Sequence, residues 1–398
     1  MYNMVDTVIV GRYLGLDALT SVSSTTSITF LIIGFCLGTC TGLAVPVAQK
    51  FGAKSYSEMR KFVMNAAYLA IFLAVIMTIV TCALCGSILT WMKTPDQFYQ
   101  GAYDYLFVIF LGIPFTFLYN VVAGIIRSLG DSKTPVYFLV LSSVLNIGLD
   151  FAFILGFHTG VEGAAYATVI SQGVSGVLCL FYMRKKYEIL KMDKYDWKFD
   201  GHIAGILCGM GVPMGLQYSI TAIGTMMVQS SLNILGSGAV AAFTAGSKIE
   251  NIFTQAFVAL GTTMSTYNAQ NIGARQLDRV RRGFRAADVI GCIYAVAVGF
   301  ILFYAGKYFS YLFISDNADV VIPMVDVYLQ CVGMFMIPLY VVNCYRNGFQ
   351  GMGYGLLPML SGVAELFGRG VMAIVAAHKQ SYRMACMASP FAWIVATA

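Results

Sequence analysis

The chain has 398 residues, of which 58% are hydrophobic and only 11% charged, and its formal net charge is +6. Soluble domains carry about 25% charged residues, so this composition and a mean hydropathy of +0.74 exclude a soluble enzyme or a nucleic-acid-binding module. What remains is an all-α polytopic membrane protein in a lipid bilayer, whose surplus charge belongs to loops rather than to an anionic partner.

Apolar segments fall at 1–14, 22–49, 62–91, 103–126, 135–157, 162–183, 203–235, 240–270, 286–313, 320–345, 355–377 and 384–398. A helical span takes about 20 residues, so twelve helices are expected, the first and last of them too short. Ten cysteines would suggest a disulfide framework in a small secreted protein, but nearly all lie inside apolar runs and read as small hydrophobes. Cys82 and Cys85 form a CxxC with no second pair and no histidine nearby, too little for a metal site. The opening MYNMVDTVIVG lacks the basic n-region and cleavage site of a signal peptide.

Lysine and arginine are unequally shared between alternate connections. One set holds 18 of the 25 basic residues: Lys50, Lys54, Arg60 and Lys61; Arg127 and Lys133; Arg184, Lys185, Lys186, Lys191, Lys194 and Lys198; Arg275, Arg279, Arg281, Arg282 and Arg285; and Arg346. The other set holds five (Arg12, Lys93, Lys307, Lys379 and Arg383), and Lys248 and Arg369 fall inside helices. By the positive-inside rule the first set is cytoplasmic, which puts both termini inside a cell (inner) membrane and the loop near Gly15 outside.

An internal repeat orders these helices into halves. Ala48–Ala53 (AQKFGA) matches Ala269–Ala274 (AQNIGA) at an offset of 221, where Leu14–Gly15 also falls on Leu235–Gly236 and Leu118–Tyr119 on Leu339–Tyr340. The offset drifts to 223 at Pro135 and Pro358. Two six-helix bundles follow: an N-lobe over residues 1–184, a cytoplasmic linker over 185–200 and a C-lobe over 201–398. A parallel repeat of this kind is one known transporter plan, with the site near mid-membrane. Residues 204–221, with Pro213 and Gln217, have counterparts only before Met1, and helix 12 stops short of its counterpart, helix 6. Helices 1 and 12 are therefore expected to be truncated, as in a fragment of a somewhat longer protein.

Within the 135–157 segment stand Asn146 and Asp150, four residues apart and so on one helical face. A carboxylate inside a span costs about 2.5–3.5 kcal/mol or more and marks a functional candidate, the alternative being a hydrogen-bond acceptor between helices. Asp150 and Thr168 lie nine residues either side of Thr159, and Asp6 lies nine before Gly15. At 1.5 Å per residue all three reach about the same depth, roughly 13 Å from an outer turn, with Asn146 one turn deeper. Such a layer of oxygen-bearing side chains suits a hard monovalent cation or a proton held on one carboxylate.

The second half does not copy this layer, since Asp6 falls on Met227, and Asn146 and Asp150 fall on Arg369 and Ala373. It offers Gln217, Gln229, Glu250 and Asn343 as candidates for lining a substrate cavity, with Lys248, Asn251 and Gln255 nearby. Glu365 and Arg369, four apart on one helix, read as a structural ion pair. Abundant Met, Phe and Tyr suit apolar or cationic ligands.

Tyr2-Asn3-Met4-Val5-Asp6-Thr7 with Val10-Gly11, Ala48-Gln49 with Gly52-Ala53, Gly130-Asp131 with Thr134-Pro135, Leu145-Asn146 with Leu149-Asp150, Gly163-Ala164-Ala165 with Ala167-Thr168, and Ala269-Gln270-Asn271 with Gly273-Ala274 form an ordered set. With it the chain resembles the multidrug and toxic-compound extrusion (MATE) family over essentially its whole length, most closely the bacterial DinF-like branch. The resemblance implies two six-helix bundles, alternating access, and export of organic cations or amphipathic drugs and metabolites against H+ or Na+. It also implies that the family's N-lobe cation site maps to Asp6, Asn146, Asp150 and Thr168, the residues that depth selects. Acids that some members carry in helices 7 and 10 have no counterparts here, where Gln217, Gln229, Asn343 and Arg346 stand. A monomer is expected, with a small-molecule substrate, no catalytic residue, no cofactor beyond the coupling ion and no metal beyond Na+ at that site. A flippase for lipid-linked oligosaccharide or peptidoglycan precursor is the rival within the superfamily, and would want a cationic cavity. An intramembrane enzyme is remote, since no HExxH or GxSxG occurs and His158, His202 and His378 lie near helix ends.

Overall fold

The computed structural model describes residues 2–92, 94–311 and 318–397, apart from the side chains of 2–5, 7, 8, 16 and 318–320. Lys93 and the ends of the 1–14, 286–313 and 384–398 segments thus lie outside the described residues. The chain forms two compact units, residues 1–215 and 216–398. The first contains α1 (Tyr2–Tyr13), α2 (Leu16–Gly52), α3 (Tyr56–Trp91), α4 (Asp96–Leu111), α5 (Ile113–Ser128), α6 (Lys133–Phe151), α7 (Val161–Lys186) and the start of α8 (Gly201–Leu235). The second holds the rest of α8, then α9 (Ser237–Gly273), α10 (Leu277–Phe300), α11 (Gly306–Ser310), α12 (Ala318–Gly333), α13 (Met336–Met352), α14 (Leu356–Lys379), α15 (Tyr382–Cys386) and α16 (Ala388–Thr397).

Among the described residues, seven helices are long and apolar enough to cross a membrane, and two bent pairs raise the number to nine. The 103–126 segment, expected as one helix, is α4 and α5 bent by 43° at Gly112, and the 320–345 segment is α12 and α13 bent by 54° after Gly333. Pro114 and Pro338 sit in the first turn of the helix beyond each break, where a missing N–H costs the ladder nothing.

The division inside α8, rather than at the 185–200 linker, has a steric cause. Gly42 of α2 faces Gly211 of α8 so closely that a Cβ would stand 2.6 Å from the Gly211 Cα, and Gly215 is as tightly set against Thr39. Only glycine allows backbones so near, and the opening turns of α8 pack into the first unit. The linker belongs there too: Arg60 of α3 binds Asp196 at 2.6 Å and Asp193 at 3.1 Å, and Tyr68 donates to the Trp197 carbonyl at 2.9 Å.

The internal repeat is written into backbone conformation. Left-handed residues pair as Gly15 with Gly236 (φ 90° and 100°), Lys54 with Arg275 (56° and 57°), Gly130 with Gly353 (88° and 102°) and His158 with Gln380 (52° and 46°). Four turns of each half therefore share a geometry rare outside glycine. The first unit's core gathers Cys36, Leu43, Met59, Leu106, Phe110 and Phe117, and the second unit's gathers Phe257, Tyr328, Leu329 and Tyr340, all buried. Ile71, Phe72, Val144, Ile290 and Ile293 are exposed apolar residues on spanning helices, as a hydrocarbon solvent permits.

Candidate ion-coupling site

The first unit brings Asp6, Asn146, Asp150 and Thr168 into one buried cluster, none more than 7% exposed. Gly15, in a conformation essentially reserved for glycine, turns the chain between α1 and α2. The α6–α7 turn brings Thr168 back to the level of Asp150. Thr168 Oγ1 donates to Asp6 Oδ2 at 3.1 Å and accepts from Asn146 Nδ2 at 3.3 Å, so three helices are tied by one hydroxyl. The Asp6 and Asp150 carboxyls lie beside one another within electrostatic reach, without the alignment of a hydrogen bond at Asp150.

Directly after Asp150 the helix widens into a π-turn over Ala152–Gly156, where the Phe157 N–H reaches the Ala152 carbonyl five residues back at 2.9 Å. Single π-turns of this kind are frequent at functional sites. Four buried oxygens here accept no hydrogen bond from a described residue: Asp6 Oδ1, Asn146 Oδ1 and both oxygens of Asp150. Buried acceptors are almost always paired, and a concentration of bare ones beside two acids is a donor set for a small hard cation or a proton. Oxygen ligands of this kind fit a hard cation.

The second unit is built differently. Gln350 donates to Gln217 at 2.6 Å, Tyr328 donates to Glu250, Gln229 donates to Asn233 at 3.1 Å, and Asn343 donates to its own helix at Leu339. Hydrogen bonds thus disperse Gln217, Gln229, Glu250 and Asn343 over separate partners rather than gathering them. Glu365 accepts from Arg369 at 2.6 Å and also from Arg346 at 2.8 Å. Arg346, expected in a connection, instead lies within α13 with its side chain 11% exposed, because Glu365 offers a charge partner at that depth. Asp288 of α10, not among the candidates above, accepts from Tyr340 at 2.9 Å and Tyr345 at 3.0 Å. An acid within the apolar 286–313 segment was the available signal, the same one that singles out Asp150.

A bundle of spanning helices that buries an acid cluster between three of them defines a multi-pass membrane transporter rather than an enzyme. The chain belongs to the MatE family, whose model matches residues 1–152 and 213–373. It is 30% identical over 315 residues to the probable multidrug resistance protein YoeA of Bacillus subtilis, covering 77% of this chain and 68% of that one. To YpnP of the same organism, also named a probable multidrug resistance protein, it is 31% identical over 363 residues, 90% of this chain and 80% of the relative. A MOP superfamily transporter from Pyrococcus furiosus shares the fold with a TM-score of 0.92 at 23% identity, covering 100% of this chain and 89% of that one.

Proposed function

We propose that the chain is a cation-coupled antiporter of the cell membrane. It exports organic cations or amphipathic drugs or metabolites by alternating access, acting as a monomer with H+ or Na+ as co-substrate and both termini cytoplasmic. The observation that carries this reading is the bare oxygen cluster of Asp6, Asn146 and Asp150 inside the first unit. Two carboxylates in one buried pocket repel each other and are costly to desolvate, and a proton or sodium ion between them relieves both. Coupling follows if ion and substrate favour opposite-facing states, since a ligand that binds both states equally shifts nothing. The multidrug-resistance names of the two Bacillus relatives support the cargo class, and Gln217, Gln229, Glu250 and Asn343 are the candidates for contacting it.

The test is uptake of a fluorescent cationic dye into proteoliposomes with sodium and pH gradients imposed separately. One gradient should drive the wild type, and Asp150→Asn should abolish that drive while the protein still inserts and melts normally. Undiminished gradient-driven uptake by Asp150→Asn would overturn the proposal.

A further inference from the structure

A second feature of the first unit, separate from the ion cluster, is a cleft of about 400 Å³ between α3, α5 and α7, roofed by Leu190, Met192 and Trp197 of the linker. Its existence follows from small residues on α3. Ala67, Ala70 and Ala74 line it at three- and four-residue spacing, so a stripe of that helix between the larger Val63, Met64, Ile71 and Val75 offers only methyl groups. The α3 wall runs from Val63 to Val75, about 18 Å at 1.5 Å per residue. That is more than half of a hydrocarbon core about 30 Å thick. Ile71 and Val75, 63% and 48% exposed, open it sideways towards lipid.

The rim has the opposite character. Arg184 lines the cleft and is exposed, Lys185 follows it, and exposed Lys194 and Lys198 stand within two residues of Met192 and Trp197 in the roof. Trp197 itself is 49% exposed, as interfacial tryptophans are. An apolar slot that begins at a basic, tryptophan-bearing rim and ends near mid-membrane matches one leaflet's lipid in length and polarity. The rim's positive charge disfavours an organic cation as occupant, which separates this cleft from the proposed transport cargo.

We propose that the cleft holds one acyl chain of an anionic phospholipid, with its phosphate on Arg184. Basic pockets beside spanning helices recognise such headgroups. Because the roof is the linker and the linker is tied to α3 through Arg60 and Asp196, the bound lipid braces the linker within the first unit, and lipid composition then sets the stability of that unit.

The full chain, purified in detergent, is titrated with phosphatidylglycerol or phosphatidylcholine and followed by native mass spectrometry and thermal melting. Phosphatidylglycerol should be retained preferentially and should raise the melting temperature, whereas phosphatidylcholine should do neither. Arg184→Gln should cut that preference about fivefold, the worth of one basic residue near an anionic headgroup. Ala67→Phe and Ala74→Leu fill the slot at different heights, and either should lose the retained lipid while keeping the lipid-free melting temperature of the wild type. Equal retention of the two lipids by the wild type overturns the proposal, as does unchanged phosphatidylglycerol retention in Arg184→Gln or in a folded slot-filled variant. If neither slot-filled variant folds, the headgroup preference of Arg184→Gln decides alone.

Discussion

Thr168 holds the cluster of acids together, because its one hydroxyl serves both Asn146 and Asp6. Thr168→Val keeps the shape, removes both bonds and leaves the buried Asn146 amide without that acceptor, a loss of about 1–3 kcal/mol. Thr168→Ser keeps the hydroxyl. The half-saturating concentration of the coupling ion should therefore shift about tenfold or more in the valine variant and little in the serine variant, read in the same proteoliposome uptake. In the second unit the corresponding centre is Glu365, whose side chain is 5% exposed between Arg346 and Arg369. Glu365→Gln confronts two buried guanidiniums with a neutral amide, at a cost of about 3–5 kcal/mol. Thermal unfolding in detergent should show it, and adding Arg369→Gln should recover part of the loss by removing one uncompensated charge. The acids of the first unit were legible in the sequence because each interrupts an apolar run midway between turns. Arg346 was not legible as a buried residue, since hydropathy cannot distinguish a loop arginine from one whose partner arrives from another helix.

At the scale of elements, hydropathy places the helices but not their breaks. The runs through Gly112 and Gly333 stay apolar while the hydrogen-bond ladder fails, so α4–α5 and α12–α13 each read as one span. Turns are more legible, and the one at Gly130–Asp131 shows why a particular residue is needed. Asp131 accepts from the Lys133 and Thr134 amides at 3.1 and 3.0 Å, the Thr134 hydroxyl at 2.7 Å, Lys186 at 3.0 Å and the Tyr187 hydroxyl at 2.6 Å, joining the start of α6 to the end of α7. Partial burial alone would raise its pKa, but the Thr134 amide, Tyr187, the Thr134 hydroxyl and Lys186 outweigh that and hold the carboxyl well below the usual carboxylate range. A folded-state pKa below the unfolded one means stability present above about pH 4 and lost as the pH falls further. Asp131→Asn should thus lower the unfolding free energy by a constant amount between pH 5 and pH 8, on the order of 1–3 kcal/mol, and the gap to the wild type, read from melting curves, should narrow as the pH falls below about 4. A gap that persists unchanged at pH 3 would assign the effect to shape rather than charge.

At the scale of the whole chain, the repeat was legible from a six-residue match, AQKFGA against AQNIGA, because those residues close equivalent helix ends. Lys54 and Arg275, in the same left-handed conformation, directly follow these segments, and each is succeeded by an amide bonded five residues back, Ser55 to Lys50 at 3.1 Å and Gln276 to Asn271 at 2.8 Å. Both positions carry a cation where glycine would be unstrained, which favours the negative end of the helix dipole over conformational ease. The division inside α8 was not legible, for it depends on Gly42 meeting Gly211, far apart in the chain. If each half spans six times, with α4–α5 and α12–α13 counted as single bent spans, equivalent turns fall on the same side of the membrane. An inverted repeat would put them on opposite sides. Single cysteines at Lys54 and Arg275 should both resist a membrane-impermeant maleimide in intact cells and both react after permeabilisation, whereas cysteines at Asp17 and Ser237 should both react from outside. All four native positions are exposed, and seven of the ten native cysteines, Cys36, Cys40, Cys85, Cys179, Cys331, Cys344 and Cys386, are buried, which leaves the half-buried Cys82, Cys208 and Cys292 to be replaced to remove background labelling. Labelling of Lys54→Cys and Arg275→Cys from opposite sides would replace the parallel repeat by an inverted one, and with it the assignment of both termini to one compartment.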